Sequence, residues 1–166
     1  NVTLFTSYYQ GSKSQEWIDG VNIIRCGDQF FGVHFKAIKW YLFADHPKFD
    51  LVVDQFHGLP FFTPLYVKKP KLAVIQEIAK KVWFYNPLSW PINWIVGASG
   101  YITEPFFFIF YRNTQFMTGS NSAKTDVSEF GKIPMKNITV VPHGIILPKL
   151  STLQRKEKQH GGRRQG

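Results

Sequence analysis

A single cysteine, Cys26, stands in 166 residues, so no disulfide can form within the chain. A lone thiol fits a reducing compartment, and the expected location is cytoplasmic. No signal-peptide pattern opens the sequence. Acidic residues are scarce, with eleven Asp and Glu against twenty Lys and Arg and a formal net charge of +9. Catalytic signatures are scarce as well. There is no phosphate-cradling GxxxxGK[ST] and no GxSxG elbow. No His/Cys spacing suggests zinc, so no metal is expected. Asp50 and Asp54 bracket a strand signal and need not meet, so no glycosidase-type carboxylate pair can be assigned. No internal repeat is present.

What the chain has in quantity is apolar surface. Hydrophobic residues make up 44% and aromatics 17%, with sixteen Phe and five Trp. That excludes a disordered chain, and the length suits one domain with a real core. The basic surplus favours anionic partners, a phospholipid surface or a diphosphate-linked acceptor among them. It is uneven. Residues 152–166 carry Arg155, Lys156, Lys158, Arg163 and Arg164 against Glu157 alone. Residues 149–166 therefore read as a basic linker or disordered tail beyond a domain at 1–148.

Strand and helix signals alternate along that domain. Val2 to Phe5 is a β-rich run, followed by a polar loop from Thr6 to about Gln15. Val21 to Arg25 reads as a strand ended by Gly27. Phe31, Phe35, Ile38 and Leu42 fall on one face of a helix that also holds His34 and stops before Pro47. Asp50–Asp54, Leu72–Ile75, Phe116–Thr118 and Ile138–Val141 are short apolar runs that suit buried parallel strands. Ala123, Val127 and Phe130 form a helical stripe, with Ser120 or Ser122 as its N-cap. The expected fold class is α/β, a Rossmann-like open, mostly parallel sheet flanked by helices.

From Val82 to Thr103 no residue is charged. Asn86, Pro87, Ser89, Pro91, Asn93 and Ser99 interrupt the run, which favours short helices in a core or at an interface over a membrane span. Lys68, Lys69, Lys71, Lys80 and Lys81 lie near Trp83, Trp90 and Trp94 in sequence. Peripheral membrane contact is the functional reading of that pattern. The bland one is a core edge with solvated lysines.

In an open parallel sheet, ligands bind beyond the carboxyl ends of the strands. The residues that follow the strand signals are polar or glycine. Gln55, His57 and Gly58 follow one strand, Gln76 and Glu77 the next, Ser120 a third, and His143 and Gly144 the last. His57 reads as a hydrogen-bond partner or general base, or as a loop histidine without a role. Glu77 reads as a hydroxyl ligand, or as the carboxylate that opens the helix after it. His34 and His46 read as structural.

Three stretches carry a family resemblance. They are FDLVVDQFHGLPFFTPLYVKKPKLAVIQEIAKKVWF from Phe49 to Phe84, YITEPFFFIFYRNTQFMTGSNSAKTDVSEFG from Tyr101 to Gly131, and NITVVPHGI from Asn137 to Ile145. In that order the chain resembles, over residues 1–148, the N-terminal, acceptor-side domain of family 4 glycosyltransferases of the GT-B fold. Ser120 and Ser122 match the family's serine turn. Gln76 stands where the family commonly has histidine, and His143 where asparagine is usual. NVTLFT resembles the family's second strand, so the resemblance implies a first strand that is missing here.

The function this implies is transfer of a sugar from a nucleotide-sugar donor to an acceptor hydroxyl, in a hexosyl-type transferase. The acceptor, a sugar or a lipid-linked one, would be held by Gln55, His57, Gly58, Gln76 and Glu77. Ser120, His143 and Gly144 would face the donor cleft. No cofactor is implied beyond the nucleotide sugar as co-substrate. A second, donor-binding domain is the implied partner, and without it these residues are expected to be inactive. The alternatives are a non-catalytic ligand-binding α/β domain and a basic nucleic-acid-binding protein. No nucleic-acid module is recognised, so no nucleic acid is expected as partner.

Overall fold

Among the described residues seven strands form two sheets where the sequence predicts one. The computed structural model describes residues 1–29, 31–56 and 58–144. His57 and the basic segment 149–166 lie outside the described residues. The first sheet has the order β1-β3-β2, with β1 at Val2–Thr6, β2 at Gln15–Ile18 and β3 at Val21–Arg25. β1 runs parallel to β3, and β2 antiparallel. The Thr6–Gln15 loop is followed by a hairpin that the strand signals did not reveal. Its signature was the Asp19-Gly20 pair. Both residues take positive φ, 49° and 80°, as a tight hairpin turn requires.

The second sheet is all parallel, in the order β4 (Val52–Gln55), β5 (Lys71–Val74), β6 (Gln115–Thr118) and β7 (Ile138–Val140). The protein is thus α/β, with an open parallel sheet flanked by helices. The correction concerns continuity. Among the described residues β1 pairs only with β3 and β4 only with β5, so no ladder there joins the two sheets. Helix α1 (Gly32–Phe43) spans them instead. Its Trp40 ring lies 5.4 Å from Phe5 of β1 and 6.0 Å from Phe49, just before β4.

The buried face of α1 also differs from the predicted stripe. Phe31 and Phe35 are 64% and 71% exposed, and Leu42 is exposed with them. Val33 and Ala37 are buried, and Ile38 is half-buried. The small side chains let the helix approach closely, while Trp40 and Tyr41 gather with His46 and Phe49 in an aromatic cluster. Gly27 fixes where α1 begins. Its φ is +81°, and a Cβ there would lie 2.4 Å from the backbone carbon of Gly32.

The core of the parallel sheet lies on one face. Register aligns Asp54, Ala73, Phe116 and Ile138 in a row across four strands, all buried. Above them pack Phe108 and Tyr111, which follow α2 (Ile92–Phe107), and Val127 of α3 (Asn121–Gly131). On the other face Leu51 and Val53 are exposed, so the edge strand β4 is not buried on both sides as its apolar run suggested. The α3 stripe is as predicted, with Ala123 and Val127 buried and Phe130 packed on the core.

Asp54 is the polar centre of this core. Its carboxylate accepts from the Phe61 N–H at 3.1 Å, the Thr63 N–H at 3.2 Å and the Thr63 hydroxyl at 2.8 Å. It also accepts from the Tyr111 hydroxyl. Burial, then the Asp54 charge, hold Tyr111 and Tyr66 well above the ordinary phenol value of 10.0. The folded state therefore keeps two protons that the unfolded chain releases above about pH 10. Their contribution to stability is complete below that value and falls as pH rises beyond it. Urea midpoints at pH 9 and pH 11 should show the loss, and Tyr111→Phe should shrink it.

Candidate functional site

The parallel register brings the carboxyl ends of β4 to β7 to one edge. Backbone bonds carry the ladders past the strand ends, Phe56 N–H to Val74 O at 2.8 Å, Ile75 N–H to Met117 O at 3.0 Å and Val141 N–H to Thr118 O at 2.8 Å. Each strand then releases its next residues at the same rim. After β5 comes Gln76, after β6 Gly119 and Ser120, and after β7 His143 and Gly144.

Gln76 and His143, 67 positions apart, meet there. His143 Nε2 lies 3.0 Å from Gln76 Oε1, and both side chains are exposed. The amide oxygen only accepts, so Nε2–H is the donor. In the neutral ring Nδ1 is then left as an acceptor for an incoming hydroxyl. Gly119 sits beneath the pair. A Cβ on Gly119 would lie 2.7 Å from Gln76 Oε1 and 3.0 Å from His143 Nε2. Both are side-chain ends that can swing away, so Gly119→Ala should break their bond while leaving the melting temperature nearly unchanged. Imidazole NMR shifts of His143 would report the break, and unchanged shifts would contradict the contact.

Ser120 is the N-cap of α3, as one of the two predicted serines, and its hydroxyl accepts from the Ala123 N–H at 3.1 Å. Ser122 lies within the helix and is exposed. The positive end of the α3 dipole thus faces the same rim as His143. Thr118, by contrast, is buried, and its hydroxyl has no partner among the described residues.

The remaining predicted residues are placed less closely. Gln55 ends β4 and is exposed. Gly58 has φ +80°, and a Cβ there would meet the Trp83 ring at 3.1 Å, so it packs as a turn. Gly144 stands in open space. Glu77 is exposed and opens no helix. The expected Glu-led helix is replaced by irregular chain and a 3₁₀ segment, Lys80–Tyr85. The carboxylate at the start of that segment comes from Glu104, 24 residues on in sequence from Lys80. Glu104 is buried late in α2 and accepts from the N–H groups of Ala79 at 2.7 Å and Lys80 at 2.8 Å. His34 and His46 are structural as read. His34 Nε2 is 3.2 Å from Leu59 O, and both His46 nitrogens face carbonyls at 2.8 Å.

No family profile matches the chain, and no curated protein matches its sequence. The chemistry of the rim therefore rests on geometry. Among the described residues no group of His, Cys, Asp and Glu could hold a metal. The first sheet contributes an open hollow at its own carboxyl ends, lined by Tyr8, Arg25, Cys26, Gly27 and Asp28. Arg25 there is paired with Glu16. What the second rim offers is a histidine acceptor, an amide and a helix N-terminus on one edge, a set suited to a hydroxylated ligand beside an anionic group.

Proposed function

We propose that this domain holds the acceptor in a sugar transfer from a nucleotide-sugar donor, with the reaction completed by a donor-binding domain. The observation that supports this reading is the convergence of Gln76, Gly119, Ser120 and His143 at one sheet edge. His143 Nδ1 accepts from the acceptor hydroxyl, while Gln76 orients the ring and cannot itself take up a proton. The α3 N-terminus favours the donor's phosphates. Gln55, His57, Gly58 and Glu77 would extend the acceptor side, and Gly144 the donor side. Peripheral contact with a membrane, where a lipid-linked acceptor is presented, belongs to the same reading.

The test is nucleoside diphosphate release by the full-length protein from a panel of nucleotide sugars, with glycoside and lipid-linked acceptors. His143→Ala should lower kcat/KM by roughly 100- to 10,000-fold, as expected when a positioned acid–base group is lost. The exposed position means that stability should not change. Absence of release with every donor, or full activity in His143→Ala, would refute the reading.

A further inference from the structure

Helix α2 buries its narrow face and exposes its apolar one. The inward residues are Gly97, Gly100 and Glu104. A Cβ at Gly97 would meet Phe84 at 2.6 Å, and one at Gly100 would meet Trp83 at 2.3 Å, so the 3₁₀ segment Lys80–Tyr85 lies directly on the glycines. On the opposite side Trp94, Ile95, Ile102 and Phe106 recur at helical spacing, and they are 60%, 66%, 63% and 58% exposed. A helix at a water-facing surface carries polar residues there. An apolar stripe of this kind marks a contact surface.

The charge pattern indicates what it contacts. From Val82 to Tyr111 the only charged residue is Glu104. It is buried and bonded to two backbone N–H groups. The stretch therefore presents no charge to solvent, and the charges that bound it, Lys80, Lys81 and Arg112, are all positive. Lys80 shares its charge with Asp126, while Lys81 and Arg112 are exposed. Exposed Trp90, Trp94 and Tyr85 add rings suited to a headgroup boundary. A second copy docked face to face would bring like charges together, whereas anionic lipid neutralises them.

We propose that the outer face of α2 docks on an anionic bilayer. The helix lies in the interface. No helix among the described residues is long and apolar enough to cross a membrane, and 16 residues rise only about 24 Å. Apolar side chains enter the acyl boundary, and the exposed cations at the ends of the uncharged stretch, Lys81 and Arg112, favour a surface of anionic phosphates. The inference develops the peripheral contact of the reading above. It depends on that part only, so vesicle binding and sugar transfer can fail separately.

The experiment is flotation of the full-length protein with vesicles of phosphatidylcholine alone and with about one third phosphatidylglycerol, at low and high salt. The protein should float with the anionic vesicles at low salt and less with the neutral ones. Ile95→Glu/Ile102→Glu should reduce the bound fraction at least about tenfold. Both positions face outward, and an unchanged circular dichroism spectrum would verify the fold. Brominated lipid should quench tryptophan fluorescence in the parent protein, and less of it in Trp94→Phe. Absence of flotation at low salt, or equal flotation by the double variant, would overturn the proposal. So would a parent protein that dimerises through this face and ignores vesicles. Loss of sugar transfer with flotation intact would fault the transfer reading alone.

Discussion

Asp54→Ala should destabilise the fold by about 3–5 kcal/mol, because it strands several buried donors at once. Asp54 is 2% exposed and holds the Phe61 and Thr63 N–H groups, the Thr63 hydroxyl and the Tyr111 hydroxyl. These partners lie on the loop after β4 and on the segment after α2, so one carboxylate ties three parts of the chain together. Removing it leaves the Thr63 and Tyr111 donors buried without a partner, each costing about 1–3 kcal/mol when unsatisfied. Tyr111→Phe removes one donor and leaves the others paired, and should cost only about 1–2 kcal/mol. Urea denaturation of both variants gives the comparison at constant m-value. A loss under about 1 kcal/mol for Asp54→Ala would show that the donors find other partners.

Phe108→Ala should cost about 3–5 kcal/mol, the range for deleting a buried aromatic. Phe108 is 1% exposed and lies 5.6 Å from the Phe56 ring, 6.2 Å from Phe116 and 6.4 Å from Phe130. It also occupies the space of a side chain at position 131. A Cβ on Gly131 would lie 2.6 Å from the Phe108 ring. Gly131→Ala should therefore cost about 1–3 kcal/mol by overpacking in the parent. In the Phe108→Ala background the new methyl enters the vacated space, and its cost should fall toward zero. Additive losses in the double variant would contradict the packing.

Short apolar runs separated by turn residues located β1 and β3 to β7 to within a residue or two, because such runs favour extended chain even where, as in β1 and β4, one face stays exposed. Strand β2 escaped because Gln15–Ile18 is half polar, and its only signal was the Asp19-Gly20 turn. The α1 stripe misled for a different reason. Periodicity finds an apolar face but not which of two faces is packed, and Val33 and Ala37 win by allowing close approach. Pairing between sheets is also invisible in composition, since it depends on which edges meet. At the rim, the topology rule picked out Gln76, Ser120 and His143, because the parallel register follows from the strand order. Gly119 stood in plain view between Thr118 and Ser120, but its contact with both Gln76 and His143 is a tertiary fact. Asp54 was legible as a strand-end acid and no more. Its partners, Thr63 and Tyr111, are 9 and 57 residues away.

Amide and imidazole chemical-shift mapping, with the full-length protein titrated by a nucleotide sugar and then by an alkyl glycoside, tests most directly whether the edge beyond β5, β6 and β7 is where ligand binds. The largest shifts are predicted at Gln76, Gly119, Ser120 and the His143 ring, with loss of the His143 response in Gln76→Ala. Shifts confined to the hollow around Tyr8 and Arg25, or to α1, with the His143 ring unmoved, would contradict it.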